Sequence, residues 1–216
     1  MFNGIVETRG RIVRVAATAA GKRLAIAARG YWNGLNDGAS VAVDGVCLTM
    51  ISARDDTAEF DVIGETLQRS TLGRAAVGRE VNLERSLRAD GRIEGHFVQG
   101  HVDGIGEVTR VERGPQSAKW WFKAPSELRA CLIPKGSIAI DGISLTIVDV
   151  DQECFSVALI PTTLERTTLG DKGPGDAVNL ESDILVRTVL RVLTSMQGTP
   201  VSSVTMQRLI EEGFSR

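Results

Sequence analysis

Apolar residues alternate with small or polar ones over short stretches of this chain, as in strands that bury one face. The pattern occurs at residues 59–63 and 154–160. It also occurs at residues 40–43 and 137–140, and each of these last two stretches precedes an Asp-Gly pair typical of a tight turn. Glycine supplies 23 of the 216 residues, above the usual share of roughly 7%, and much of it separates these stretches. The pattern predicts that each half of the chain is a small antiparallel β-barrel without a long open edge.

The pattern becomes helical near the end of the chain. After Asp183, which can serve as an N-cap, apolar residues recur at spacings of four, three and four: Leu185, Val189, Val192 and Met196. This predicts a helix that either packs on its own barrel or forms an oligomer seam. Gly198-Thr199-Pro200 ends it, and residues 201–212 are expected to form a second helix that stops at Gly213.

One sequence unit occurs twice. Residues 40–49 recur as 137–146, 66–73 as 163–170, and 81–84 as 178–181, always 97 residues later. A period this long predicts two compact domains rather than a solenoid. We place them at residues 1–97 and 98–184, followed by a helical tail at residues 185–216. The tail has no counterpart in the first copy, which suggests a role in assembly.

Charge and cysteine content exclude several classes of protein. The net charge is −2 with no long run of one sign, which argues against a nucleic-acid surface or a membrane-binding face. No apolar run approaches the roughly 20 residues that span a bilayer, and the Met1 end lacks a signal-peptide pattern, so we expect a cytoplasmic protein. Cys47, Cys131 and Cys154 are odd in number and lack CxxC spacing, which predicts free thiols rather than disulfides or a zinc site.

Six motifs, in order and spacing, resemble the riboflavin synthase α chain family of lumazine-binding two-barrel proteins. They are MFNGIVE from Met1, GVCLT from Gly45, GHFVQGHVD from Gly95, KGS from Lys135, DGISLT from Asp141 and TLERTTLG from Thr163. Two positions depart from the family pattern. Asn3 stands where threonine is usual, and Glu94 replaces the first glycine of a Gly-Gly-His sequence.

The resemblance implies an all-β fold with a C-terminal helix: two tandem, similar, six-stranded antiparallel Greek-key β-barrels followed by a helical tail. It implies a dismutation in which one 6,7-dimethyl-8-ribityllumazine gives a four-carbon unit to another, yielding riboflavin and 5-amino-6-(D-ribitylamino)uracil. No cofactor and no metal are expected. The family forms homotrimers through C-terminal helices, with the reacting pair held between barrels of different subunits; an association with lumazine synthase is left open.

Positions at which the two copies differ are the candidates for catalysis. We pair Cys47 with Ser144, Gly38 with Lys135, Ser86 with Asp183, and Met1 with His101. In three of these pairs the second copy gains an ionisable group. A reaction between two identical molecules requires such unlike settings, because one must donate and the other accept.

Each of the five candidates has a proposed role. Cys47 is a nucleophile or hydrogen-bond partner, with a small buried hydrophobe as its alternative. His101 is either the base that accepts the proton of the acidic lumazine methyl group or a ligand contact. Lys135 holds a ligand carbonyl or stabilises the ring anion, unless it is only a solvated turn residue. Ser144 and Asp183 match family active-site positions, and Asp183 also caps the helix.

Positions shared by the copies, and those next to them, are the candidates for binding. Hydroxyl groups beside apolar walls suit a ribityl chain and a flat ring. We match Gly4-Ile5 with Gly104-Ile105, and assign Asp44, Asp141 and the glycines after them to turns. The predicted substrate-binding residues are Gly4, Ile5, Val6, Ser40, Leu48, Thr49, Asp61, Val62, Ile63, Gly64, Glu65, Thr66, Gly100, Val102, Leu145, Thr146, Ile160, Pro161, Thr162, Thr163, Leu164 and Glu165.

Two further interpretations compete with these assignments. His96 lies five residues before His101, on the opposite face of any strand that contains both, so we interpret it as structural and exclude a two-histidine metal site. A non-catalytic antenna protein that binds lumazine or flavin is the alternative to the enzyme. A plain β-barrel interaction module is the more distant alternative.

Overall fold

A computed structural model describes residues 1–114 and 117–197, which contain twelve strands, three α-helices and three short 3-10 turns. The first barrel comprises β1 (Thr8–Thr18), β2 (Gly21–Ala27), β3 (Ser40–Val43), β4 (Val46–Arg54), β5 (Thr57–Ile63) and β6 (Glu80–Arg85). The second comprises β7 (Gly104–Arg113), β8 (Ala118–Lys123), β9 (Ser137–Ile140), β10 (Ile143–Val150), β11 (Cys154–Leu159) and β12 (Ala177–Ser182).

Both barrels close in the same way. The first has the strand order β1-β2-β5-β4-β3-β6, and the second follows the equivalent ring. Three strands joined by hairpins, β3 to β5, lie with β2 beside β5, which is a Greek-key arrangement. The predicted fold of two six-stranded antiparallel barrels followed by a helix is therefore confirmed.

Each barrel has its own core, built from the inward residues of alternating strands. Phe60, Leu24 and Met50 lie in the first core, and Phe122 and Phe155 lie in the second. Phe122 and Phe155 stack with ring centroids 5.5 Å apart. Because successive strand residues point to opposite faces, the neighbours of these positions lie on the barrel exterior.

The helical elements are short except for the last. They are α1 (Gly64–Arg69), α2 (Pro161–Arg166) and α3 (Ile184–Gln197), with 3-10 turns at Thr71–Arg74, Ser126–Cys131 and Thr168–Asp171. By compactness, Met1–Ile184 forms one unit and a second begins at Leu185.

The last helix begins directly after Asp183, as predicted. Leu185, Val189 and Met196 of its apolar seam are more than half exposed. The second helix predicted at residues 201–212 lies outside the described residues. No helix in the described part of the chain is long and apolar enough to cross a membrane.

The two barrels meet at their Asp-Gly turns. Asp44 and Gly45 have φ values of 46° and 76°, and Asp141 and Gly142 have 46° and 79°, as in two-residue hairpins of type I′. A Cβ atom on Gly45 would lie 2.6 Å from the amide nitrogen of Gly142. The turn interpretation of these residues is correct, and the same turns join the barrels.

Two asparagines connect the barrels reciprocally. Asn82 Nδ2 donates to the Asp141 carbonyl at 2.9 Å, and Asn179 Nδ2 donates to the Asp44 carbonyl at 2.7 Å. Asn82 Oδ1 accepts a hydrogen bond from the Thr168 amide, and Asn179 Oδ1 accepts one from the equivalent Thr71 amide of barrel 1. Each buried amide thereby uses both of its polar ends, which is the condition for a buried polar group to stabilise a fold.

Gly45→Ala is expected to destabilise the protein by about 3 kcal/mol, because it adds both a left-handed backbone strain and an overlap with Gly142. Gly78→Ala is the matched control, since Gly78 has a φ of 92° but open space around it. Its expected cost is about 1 kcal/mol, from strain alone. Urea unfolding of both variants measures the difference. Equal losses would contradict a packed junction.

Candidate active site

The segments that precede β1 and β7 each cross to the other barrel. Phe2 and Val98 form a bridge between them, at N–O distances of 2.6 and 3.2 Å. The Gly4 carbonyl then accepts from the amide of Ser144 in barrel 2 at 2.7 Å. The Gly100 carbonyl accepts from the amide of Cys47 in barrel 1 at 2.9 Å. Each barrel is thus completed by the entry segment of the other copy.

Apolar contacts and close packing support the same exchange. Val6 packs against the core of barrel 2, and Val102 packs against the core of barrel 1. A Cβ atom on Gly4 would lie 2.5 Å from the Ser144 Cβ, and one on Gly100 would lie 2.5 Å from the Cys47 Cβ. Only glycine fits at these two crossings.

Two buried glutamates hold the crossing segments. Glu84 accepts from the amides of Asn3 at 2.7 Å and Gly4 at 3.1 Å, and Glu181 accepts from those of Gln99 and Gly100 at 2.7 and 2.9 Å. Burial raises the pKa of Glu84 to about 7, against the opposing effect of these hydrogen bonds. Burial also raises the pKa of Glu181.

This geometry corrects two sequence pairings. Gly4 corresponds to Gly100, not to Gly104, and His101 corresponds to Ile5, not to Met1. The sequence Gly-Ile occurs at both 4–5 and 104–105, which makes that pairing the better local sequence match. The glutamate contacts and the strand ladders instead align residues that are 96 positions apart. The equivalence of Cys47 and Ser144 is confirmed, because each follows its hairpin turn in the same register.

A cavity of about 180 Å³ lies beside Cys47 of barrel 1. Six predicted residues line it: Cys47, Glu65, Thr66, Gly100, His101 and Val102. The structure adds three that the sequence analysis did not single out, namely Val46, Arg69 and Ser70. All three cysteines of the chain are free thiols. Within residues 1–114 and 117–197, no cluster of three or more His, Cys, Asp or Glu side chains could hold a metal ion.

Strand alternation divides the other predicted residues of barrel 1. Thr49 lies on the exterior, opposite Ser40 on the neighbouring strand, and shares the face of Cys47. Leu48 and Val62 point inward and belong to the core.

Three more residues lie at the end of β5. Asp61 pairs with Arg23 at the surface, Ile63 is exposed, and the Gly64 amide bonds to the Ala20 carbonyl. They do not line the Cys47 cavity.

The site of barrel 2 contains a histidine that the sequence analysis assigned to structure alone. His96 Nδ1 lies 2.7 Å from Ser144 Oγ. Burial lowers the pKa of His96, and the negative charge of Asp183 opposes that shift. Three polar groups are therefore brought together: Ser144 and Asp183, which were predicted, and His96, which was not. Alternation failed here because residues 96–103 form only an isolated bridge, at Val98, and no strand.

Helix α2 presents its two faces to different surroundings. Pro161, Leu164 and Glu165 line a separate cavity of about 450 Å³ together with Trp120. At 100° per residue, Thr162 and Thr163 lie on the other face. The structure therefore does not bring all six predicted residues from Ile160 to Glu165 to one site; Ile160 itself is exposed.

The remaining predicted residues of barrel 2 lie in different surroundings. Leu145 packs against the core, Thr146 is exposed opposite Ser137, and Ile5 is exposed. Lys135 lies in an exposed turn with a φ of 67°, where its amide bonds to the Ile147 carbonyl. It is not among the residues that line the Cys47 cavity.

Comparison with known proteins identifies the family. A model of the lumazine binding domain matches residues 3–86 and 99–183. The riboflavin synthase of Actinobacillus pleuropneumoniae is 39% identical over 215 residues, 99% of this chain and 100% of that protein. The chain belongs to the riboflavin synthase family. The riboflavin synthase of Chlamydia pneumoniae is 44% identical over 200 residues, 90% of this chain and 98% of that protein.

Family membership confirms the resemblance and the prediction of an enzyme of the riboflavin synthase type. A structural likeness adds support for the fold alone. The crystal structure of LumP complexed with 6,7-dimethyl-8-(1'-D-ribityl) lumazine has a TM-score of 0.76 at 23% identity. The match covers 84% of this chain and 99% of that chain.

The buried glutamates predict a stability that falls as the pH rises. Between the ordinary pKa of 4.5 and the raised pKa of about 7, folded Glu84 holds a proton that the unfolded chain has lost. We expect the free energy of unfolding to be about 2 kcal/mol higher near pH 5.5 than near pH 7.5 from this group alone. Urea unfolding at both values measures it.

Glu84→Gln should reduce this dependence, and Glu80→Gln, on the same strand but at the surface, should leave it unchanged. The raised pKa values of Asp44, Asp141 and Glu181 act in the same direction. His96 acts in the opposite direction below its ordinary value of 6.5, because folding lowers its pKa. A wild-type stability that rises with pH across this range would contradict the assignment.

Proposed function

We propose that this member of the riboflavin synthase family catalyses the dismutation of two molecules of 6,7-dimethyl-8-ribityllumazine. One molecule gives a four-carbon unit to the other, which yields riboflavin and 5-amino-6-(D-ribitylamino)uracil. The observation that carries the proposal is a pair of equivalent sites with unlike reactive groups. Cys47 and His101 stand in barrel 1, whereas Ser144 and His96 stand in barrel 2.

The chemistry needs acid–base groups rather than a redox centre. The C7 methyl group of the lumazine is acidic because its anion is delocalised over the ring. A neutral imidazole can accept a proton of this kind as a general base. His101, exposed beside Cys47, has the access to solvent and ligand that such a base requires. We assign this role to His101, and assign to Cys47 that of nucleophile or hydrogen-bond partner.

Two features support assembly of complete sites between subunits. The cavity beside Cys47, at about 180 Å³, is smaller than the roughly 300 to 1,000 Å³ of ligand pockets, which favours completion of the site by a second surface. Leu185, Val189 and Met196 expose an apolar face on α3. We propose a homotrimer joined through this face. A cytoplasmic location and an association with lumazine synthase stay predictions.

The direct experiment mixes the purified protein with the lumazine, without added metal or cofactor, and follows the absorbance of the flavin product. Formation of one riboflavin for every two lumazines consumed supports the proposal. Tight binding without turnover would instead identify a lumazine or flavin antenna. Failure to bind would favour an interaction module and would refute the proposed activity.

Cys47→Ala should lower kcat by about tenfold to a hundredfold, since it removes a reactive group from the site. Cys131→Ala is the matched control and should keep wild-type activity, because Cys131 lies outside the cavity beside Cys47. Flavin formation measures activity, and light scattering measures assembly.

Asp183→Ala should weaken both activity and assembly, whereas Cys47→Ala should spare assembly. Full activity in either variant would remove that residue from the mechanism.

A further inference from the structure

A buried histidine faces the hydroxyl group of Ser144. His96 is 9% exposed, and its Nδ1 atom lies 2.7 Å from Ser144 Oγ. Its Nε2 atom is buried without a hydrogen-bond partner. The ring is therefore held at Nδ1 and enclosed elsewhere. Enclosure suits a residue that acts through Ser144 rather than by touching a ligand itself.

The tautomer of His96 determines what Ser144 offers to a ligand. In the neutral tautomer that carries its hydrogen on Nε2, the Nδ1 atom is an acceptor. The Ser144 hydroxyl then donates its proton to Nδ1. A hydroxyl whose proton is committed in this way presents only its lone pairs to a bound molecule. Ser144 becomes a fixed hydrogen-bond acceptor.

Asn3 fixes the backbone that leads to His96. Its Oδ1 atom accepts from the amides of Glu94 at 3.0 Å and Gly95 at 2.9 Å, and its Nδ2 atom donates to the Arg92 carbonyl at 3.2 Å. The His96 amide donates to the Asn3 carbonyl at 3.3 Å. The Asn3 side chain, in a residue that is only 7% exposed, thus bonds to three backbone groups of the linker.

The linker passes directly over Ser144. A Cβ atom on Gly95 would lie 2.8 Å from Ser144 Cβ and 2.9 Å from its Oγ. A displacement of this segment therefore changes the setting of Ser144. Asparagine suits this arrangement, because its amide oxygen accepts from two backbone amides while a separate atom, its amide nitrogen, donates to the carbonyl.

We propose that Asn3 and His96 are positioning residues for Ser144. Asn3 fixes residues 92–95 of the linker, His96 accepts the Ser144 hydroxyl proton at Nδ1, and Ser144 Oγ directs its lone pairs to the ligand of barrel 2. The kinetic consequence rests on the proposed function, whereas the geometry does not. The two parts are therefore tested separately.

Two amide substitutions at His96 test the contact. His96→Asn places a polar atom near the position of Nδ1, and His96→Gln places it near that of Nε2, away from Ser144. We expect His96→Gln to lower kcat by about tenfold to a hundredfold with little change in riboflavin affinity, and His96→Asn to retain most activity. Equal losses in both variants would overturn the role of Nδ1.

A double-mutant cycle separates positioning from folding. If His96 acts through Ser144, His96→Gln should lower kcat no further in a Ser144→Ala background. Losses that multiply would mean that His96 has an independent, structural role, and would overturn the proposal.

Nitrogen-15 NMR of the imidazole rings tests the geometry without turnover. The chain has two histidines, so a His101→Gln variant assigns the signals. We expect the His96 signals of the wild type to show an unprotonated Nδ1. Asn3→Leu should change these signals, because the ring is no longer held in one position. Asn3→Asp should leave them unchanged, because it keeps the acceptor oxygen. A protonated Nδ1, or unchanged signals in Asn3→Leu, would overturn the inference. A wild-type protein that makes no flavin would instead refute the proposed function and leave this readout intact.

Discussion

The reciprocal junction between the barrels is the constraint on which the rest of the structure depends. Asn82 and Asn179 each bond to the turn carbonyl of the other copy, and the two glycines approach until no side chain fits between them. Because the buried amides are satisfied only in one relative placement, the junction fixes the barrels together. That placement allows the entry segment of each copy to reach the opposite barrel. A site in this protein is therefore a property of the pair of barrels.

Two histidines without a counterpart histidine in the first copy distinguish two sites built from one template. His96 and His101 lie within six residues, yet His96 contacts Ser144 of barrel 2 and His101 lines the cavity beside Cys47 of barrel 1. His96 lies in the linker, which occurs once, whereas His101 lies in the entry segment of the second copy, where its counterpart in the first copy is Ile5. Burial further separates the two rings, because His96 is enclosed and His101 is exposed. Identical ligands would thus meet different acid–base settings.

The sequence predicted the barrels, their turns and the Cys47–Ser144 equivalence, because strand alternation and a constant spacing of 97 are local or pairwise properties. It did not predict the exchange of entry segments, since no pattern in residues 1–7 or 98–103 states which barrel they enter. The contact of His96 with Ser144 was not predicted for a related reason: alternation was applied to a segment that forms no strand. Leu48 and Val62 were assigned to binding although alternation, applied consistently, places them in the core.

Exchange within the chain also explains why assembly is expected to matter for activity. Each entry segment closes one side of the opposite barrel's site, as Gly100 and Val102 do beside Cys47, and the enclosed volume there remains about 180 Å³. The buried glutamates hold both entry segments in these positions, and the two asparagines hold the barrels together. Under the proposed assembly, the wall that completes the site comes from outside the pair. The helix after Asp183 is the element without a counterpart in the first copy, and in the proposed trimer its exposed apolar seam joins the subunit that brings that wall.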